Sequence, residues 1–248
     1  MYKSEKVVNL RELRQSCANC ALNQLCLPAS IGGEDLQRLD HLVQQRRPLE
    51  RGELLYREGD GNPSLFVVRS GSLKSYVTLP EGDVQILGFH IAGELVGLDG
   101  LAGNGNQCTT EALERSSMCE VPLDTLSEMA GQVPGLQRQL FRVMGREFGR
   151  EFDHPVMMGR KQAMSRLAIF LRSLSDRRRG VGQDPHELQL SMSRQDLANY
   201  LGLVIETISR LFSRMQTLGV LKVDRRIVRI LDPVGLATLA EKPDDDKG

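Results

Sequence analysis

Between Leu49 and Leu123 the chain breaks into short apolar stretches at near-regular intervals, and this limits the fold more than any other feature. The stretches are Glu53–Tyr56, Leu65–Arg69, Ser72–Leu79, Gln85–Ile91, Thr109–Leu113 and Ser117–Pro122, with glycines at 52, 59, 71, 82, 93 and 103 between them. Strands this short, separated by turn signals every ten or so residues, must pair locally and close on themselves. The pattern predicts a β-sandwich or β-roll. Trp is absent and only 4 % of the residues are aromatic, so its core must be built from Leu, Val and Ile.

The sequence changes period on either side of this block. Gly33-Glu34-Asp35-Leu36 opens a helical pattern with Leu36, Leu39, Leu42 and Val43 on one face. Residues 1–30 read as irregular apart from a short polar helix near Leu10 to Arg14. Pro134-Gly135 starts a long helix in which Leu136, Leu140, Val143, Met144, Phe148 and Phe152 recur at helical spacing. This stripe suits packing on its own domain or a coiled-coil-like dimer spine. Pro155 is expected to kink or divide it near Asp153. A further helix spans 164–179, with Arg177, Arg178 and Arg179 in the last turn, where cations suit the helix dipole. Ser193 to Gly202, followed by Val204 to Arg210, reads as helix, glycine turn and second helix. Val220–Val223 and Ile227–Ile230 then flank a turn, as a small wing. The expected fold is α+β, in five parts: a cysteine-rich segment over 1–30, a β-roll sensor over 31–123, a dimerisation helix over 124–159, a winged helix-turn-helix domain over 160–235 and a tail over 236–248, whose charged end, 242–248, is expected to be disordered.

Net charge is zero, but it is unevenly spread. Residues 160–231 hold 14 Lys+Arg against 6 Asp+Glu, which leaves the remainder equally negative. A basic module joined to an acidic one is what a DNA-binding domain attached to a sensor would show. No run of eighteen apolar residues and no apolar leader occurs, so a cytoplasmic protein without membrane attachment is expected.

Cys17, Cys20 and Cys26 form C-x-x-C-x5-C, and the other two cysteines are Cys108 and Cys119. Under reducing conditions clustered thiols are ligands or redox groups rather than disulfides. A tight three-thiolate clamp closed by one distant thiolate suits an iron–sulfur cluster or zinc. Spacing leaves the metal open, and it leaves open which of Cys108 and Cys119 is the fourth ligand. His41, His90, His154 and His186 show no ligand spacing, and no set of residues reads as catalytic, so an enzyme is not expected.

Three stretches taken together resemble the cAMP-receptor/FNR (CRP/FNR) family of bacterial transcription regulators, in its FNR/Anr oxygen-responsive branch. They are the C-x-x-C-x5-C clamp, Leu87–Gly97 in the roll, and Asn199-Tyr200-Leu201-Gly202 running into Glu206-Thr207-Ile208-Ser209-Arg210. The resemblance implies a 4Fe-4S iron–sulfur cluster, zinc being the alternative. It selects Cys119, in the context Cys-Glu-Val-Pro, as the partner of Cys17, Cys20 and Cys26. It further implies a homodimer that binds DNA and works with RNA polymerase while the cluster is intact. The cyclic-nucleotide branch holds its phosphate with an Arg-Ser pair. Asn104 to Thr109 offers no cation there, so no cyclic nucleotide is expected.

Within the second helix, Ile208, Leu211, Phe212 and Met215 read as core. Ile205, Glu206, Ser209 and Arg210 are left to meet bases. Glutamate accepts from cytosine N4, arginine clasps guanine, and an aliphatic side chain presses a thymine methyl. The resemblance implies a TTGAT half-site and its inverted copy, because family members that read the cyclic-nucleotide-type site carry a basic residue where Ile205 stands. Lys222, Arg225, Arg226 and Arg229 on the wing are expected at phosphates. Glu147 and Glu151, on or beside the stripe with Phe148, are expected to face their own copies across a dimer axis and so to control association.

Overall fold

The computed structural model describes residues 17–23, 26–61, 64–159 and 162–241. The expected helix near Leu10 to Arg14 and the tail 242–248 lie outside them. All six apolar stretches become strands, and with two further short strands they assemble into two four-stranded antiparallel sheets. One has the order β1 (Gln44–Gln45), β8 (Ser117–Pro122), β3 (Ser64–Ser70), β6 (Leu95–Val96). The other has β2 (Leu54–Tyr56), β7 (Thr109–Ala112), β4 (Ser72–Thr78), β5 (Val84–Ile91). The two-residue strands β1 and β6 are too short to leave an alternating signal in the sequence.

Strand β3 shows how the roll is layered. Successive side chains leave a strand on opposite faces. Phe66 and Val68 enter the core between the sheets with Leu55, Leu73 and Met118. Leu65 and Val67 enter a second core on the outer face of the sheet. That outer face is covered by α1 (Gly33–Leu42), α2 (Leu123–Gln132), α3 (Pro134–Met158) and the 3-10 turn Leu27–Ser30. Leu39, Leu126 and Leu136 are fully enclosed there, each contributing about 1.5–3 kcal/mol through burial.

The segment 124–159 is therefore two helices. α3 runs through Pro155 instead of dividing at Asp153. The proline lies in the last turn, so it removes a single late hydrogen bond, and the helix ends at Met158. The C-terminal domain comprises α4 (Ala163–Gly180), α5 (Arg194–Leu201), α6 (Ile205–Thr217), α7 (Pro233–Glu241) and an antiparallel sheet of order β10 (Leu221–Asp224), β11 (Ile227–Ile230), β9 (Glu187–Gln189). β9 and α7 were not expected. α7 buries Leu236 and Ala240 and carries the domain to Glu241. Among the described residues no helix is long and apolar enough to cross a membrane.

Candidate metal centre and nucleic-acid interface

Cys119 owes its position to strand register. It pairs with Val67 across the β3–β8 ladder, and directly opposed residues share a face. Val67 faces the helices, so Cys119 does too. There it lines one pocket with Cys17, Cys20 and Cys26, walled by Leu27, Leu39 and Val121. Cys108 precedes β7 in the other sheet and is buried in the inter-sheet core, where its thiol donates to Asp99 Oδ2 at 3.3 Å. The fold thus gathers four of the five thiols and sends the fifth elsewhere.

Short polar contacts order the cysteine turn. The Cys17 N–H donates to Asp40 Oδ1 of α1 at 2.8 Å, and Asn23 Nδ2 donates to the Cys17 carbonyl at 2.8 Å. Gln139 of α3 donates Nε2–H to the Cys26 carbonyl at 3.0 Å, and its Oε1 accepts from Ser30 Oγ at 3.2 Å. α3 can come this close because residue 135 is glycine. A Cβ there would stand 2.6 Å from the Ser30 carbonyl oxygen. The cysteine turn and α3 are consequently one packed unit.

Burial pushes the Cys17 and Cys26 thiols up to about 12, with Asp40 adding to the rise at Cys17. Burial also raises Cys119, against the pull of Arg69. Thiolates form in such a pocket when a cation arrives to compensate them, so metal loading there expels protons. No group of three or more described His, Cys, Asp or Glu side chains stands ready at metal-binding distances. The fit rests on donor chemistry: four thiols on one apolar pocket suit a cluster or zinc.

The second site is built on α5 and α6. Ser193 caps α5 through a capping box: Ser193 Oγ accepts from the Asp196 N–H at 2.9 Å, and Asp196 Oδ2 accepts from the Ser193 N–H at 3.0 Å. Gly202 ends the helix with φ 62°, the left-handed conformation glycine adopts without strain. α6 then turns Ile208, Leu211, Phe212 and Met215 inward. Ile205, Glu206, Ser209 and Arg210 are all exposed, and the Ser209 hydroxyl donates to its own helix at the Ile205 carbonyl. Lys222, Arg225 and Arg226 are exposed on the wing. Arg225 sits at the hairpin turn with φ 53°, the one described non-glycine residue with positive φ. Arg229 is half-exposed on the same hairpin, its Nε 2.9 Å from Glu187 Oε2 across β11 and β9.

Sequence reasoning passed over Arg194, the first residue of α5. Its guanidinium carbon lies 3.7 Å from the Phe212 ring centroid, and Nη1 is buried with no partner among the described residues. Burial lowers its pKa. A stacked, preoriented cation at this helix start is suited to a phosphate oxygen.

Glu147 does not face outward toward a second copy. It is 7 % exposed in the single chain, on the inward face with Leu136 and Val143, where its charge reaches Arg177. Helical periodicity carries position 147 onto the face set by 136, 140 and 143. The outward face of α3 carries Phe141, Gly145 and Phe148; the two rings are 65 % and 53 % exposed. The Glu151 side chain lies outside the described residues.

Comparison with known proteins gives a consistent result. The Cyclic nucleotide-binding domain family matches residues 46–132, and the Crp-like helix-turn-helix domain family matches residues 165–239. The transcriptional activator protein Anr of Pseudomonas protegens is 44% identical over 234 residues, 94% of this chain and 96% of its own. The fumarate and nitrate reduction regulatory protein of Escherichia coli is 40% identical over 224 residues, 90% of each chain. Among solved structures, FixK2 from Bradyrhizobium japonicum superposes with a TM-score of 0.72 at 29% identity, covering 82% of this chain and 99% of its own.

Proposed function

The chain belongs to the CRP/FNR family of transcription regulators, proteins that bind DNA rather than catalyse reactions, and from that premise we propose that it is an oxygen-responsive member. On this reading Cys17, Cys20, Cys26 and Cys119 hold a 4Fe-4S cluster, and a homodimer binds inverted TTGAT half-sites and works with RNA polymerase to control anaerobic gene expression. The observation that carries the proposal is the convergence of those four thiols, and not Cys108, on one pocket packed against α3. When bound, the cluster supplies an oxygen-labile core whose loss is the signal.

The chain's own residues do the rest. The Cys26 turn and Gln139 join the pocket to α3. Phe141, Gly145 and Phe148 offer α3 an apolar seam for a second copy. Glu206, Ser209 and Arg210, with Ile205, read base edges. Arg194, Lys222, Arg225 and Arg226 meet phosphates. That no cyclic nucleotide is expected accords with the roll cavity, where Asp99, Glu94 and Glu147 stand on the walls and the guanidinium of Arg177 is already bonded to Glu94. Asp99 is committed to Tyr56 and to the Gln107 and Cys108 amides. With its arginine engaged by a carboxylate, the cavity offers a cyclic phosphate no spare cation.

The test is anaerobic purification followed by absorption spectroscopy and iron, sulfide and zinc analysis, with binding to a duplex carrying TTGAT and its inverted copy. The expected result is a brown, air-labile protein that binds the duplex before exposure to air and loses binding after it. A colourless, air-stable protein with stoichiometric zinc would overturn the oxygen-sensing assignment in favour of a zinc-stabilised regulator.

A further inference from the structure

One charged side chain stands on the wall of the thiol pocket. Apart from the four cysteines, that wall is made of leucines, valines, Asn23, Pro28 and Arg69 of β3. An irregularity in strand pairing puts the arginine there. Val68 pairs with Met118 and Ser70 with Ser117, so β3 takes two steps where β8 takes one, and Arg69 is the extra residue of a bulge. A bulge bends its strand and re-aims the side chain it carries. Arg69 Nε donates to Ser117 Oγ at 3.3 Å. Ser117 and Cys119 lie two residues apart on β8 and so share a face, and the charge of Arg69 is felt at Cys119.

The Arg69 side chain is half-buried, and among the described residues no carboxylate pairs with it. Drawing a cation out of water without a counter-ion is costly. The thiols supply the missing partner once they are loaded. Four thiolates around a divalent core, zinc or a cluster alike, leave about two negative charges unbalanced, and apolar walls make each of those charges count for more than it would in water. The other charges nearby do not balance them. Asp40, which accepts the Cys17 N–H, is itself negative. Arg146, whose charge reaches Cys26, is exposed on α3, where water and salt screen it.

We propose that Arg69 is the counter-charge of the loaded pocket: held by the β3 bulge and by Ser117, its guanidinium offsets the excess negative charge beside Cys119 and so strengthens metal binding without being a ligand. This rests on the reading of Cys17, Cys20, Cys26 and Cys119 as metal ligands, and on neither the identity of the metal nor its response to oxygen. Groups that act on a metal's ligands from outside the coordination sphere are worth about 10–100-fold in metal affinity.

Cobalt(II) is a suitable probe, because its thiolate complexes absorb where the protein does not and four-thiolate coordination has its own spectrum. The full chain, reduced and freed of metal without air, is titrated with cobalt in competition with a chelator. Arg69→Met keeps the reach of the side chain without its charge. It is expected to bind cobalt about 10–100-fold more weakly than the parent, with the four-thiolate spectrum intact. Arg69→Lys restores a point charge and is expected to recover most of that loss. Parent affinity in Arg69→Met would overturn the proposal. So would equal weakening in Arg69→Met and Arg69→Lys, which would make Arg69 a strut for the bulge. A parent that shows no four-thiolate spectrum would bring down the pocket reading itself, and the counter-charge with it. If Arg69→Met does not fold by circular dichroism, Arg69→Gln, which keeps a donor for Ser117, decides alone: a similar loss upholds the counter-charge, and parent affinity refutes it.

Discussion

Cys108 and Cys119 carry the same thiol and lie in neighbouring stretches of sequence, and strand register alone separates their fates. Cys119 shares a face with Val67 and joins the N-terminal three; Cys108 packs between the sheets against Asp99. Replacing Cys17, Cys20, Cys26 or Cys119 singly with Ala is expected to reduce bound iron and sulfide to background, because each vacancy leaves a metal without its thiolate. Cys108→Ala should load fully and lose about 1 kcal/mol of stability with its small buried side chain. Metal analysis beside a denaturant titration checks both. At the DNA surface, Arg210→Ala is expected to cost about 1–3 kcal/mol on a TTGAT duplex and to relax selectivity at one base. Arg226→Ala should weaken all duplexes evenly and flatten the salt dependence. Equal loss on specific and random DNA in Arg210→Ala would make that residue a phosphate contact. Much of this was legible in the residues themselves, since the clamp spacing and the polar face of α6 are local patterns. Arg194 was not, because its distinction arises from stacking on Phe212 across a turn.

α3 shows what periodicity can and cannot reveal about an element. Its existence follows from the recurrence of Leu136, Leu140 and Val143, but that stripe packs on the chain's own core. The exposed rings of Phe141 and Phe148 form a separate face around Gly145. Two apolar faces on one helix blur into a single broad stripe in sequence, so periodicity puts Glu147 on the stripe without showing that this part of it packs inside its own chain. The strands were legible because both period and glycine turns mark them. β1, β6 and β9 were missed because two or three residues carry no period. If the outward face is the dimer seam, Phe141→Asp and Phe148→Asp each place an unpaired charge in an apolar contact. Each is expected to weaken self-association by about 2 kcal/mol or more while leaving the thermal midpoint of the chain within a few degrees, since neither ring is in the core. Analytical ultracentrifugation of anaerobic protein checks the first, and a melt followed by circular dichroism the second. Unchanged association in both variants would place the seam elsewhere.

At the scale of the whole molecule the question is how a thiol pocket near one end is felt at a DNA surface near the other. The path visible in the structure is short. The cysteine turn meets α3 through Gln139, whose amide bonds the Cys26 carbonyl and Ser30 Oγ together, and through Gly135, whose missing side chain lets the two backbones touch. On the proposed reading, a loaded pocket would fix the turn and so buttress α3, and an empty one would not. Because dimer and monomer need differ by only a few kcal/mol, a buttress of this size can shift the balance. On that reading the Gln139 link, and not repulsion between Glu147 copies, is the proposed source of control, since Glu147 is buried in its own chain. Gln139→Ala removes the amide and leaves all four thiols, so loading should remain near that of the parent. The loaded protein should dimerise less tightly by about 0.5–1.5 kcal/mol, one hydrogen-bonding group's net contribution, and the gap in association between loaded and unloaded protein should narrow by the same amount. Sedimentation of both forms across micromolar concentrations measures that gap. A variant that loads normally and keeps the parent's full difference would show that the pocket speaks to α3 through the Leu27–Ser30 packing and not through the amide, and Gly135→Ala, which forces a Cβ against the Ser30 carbonyl, would then be the substitution that breaks the link.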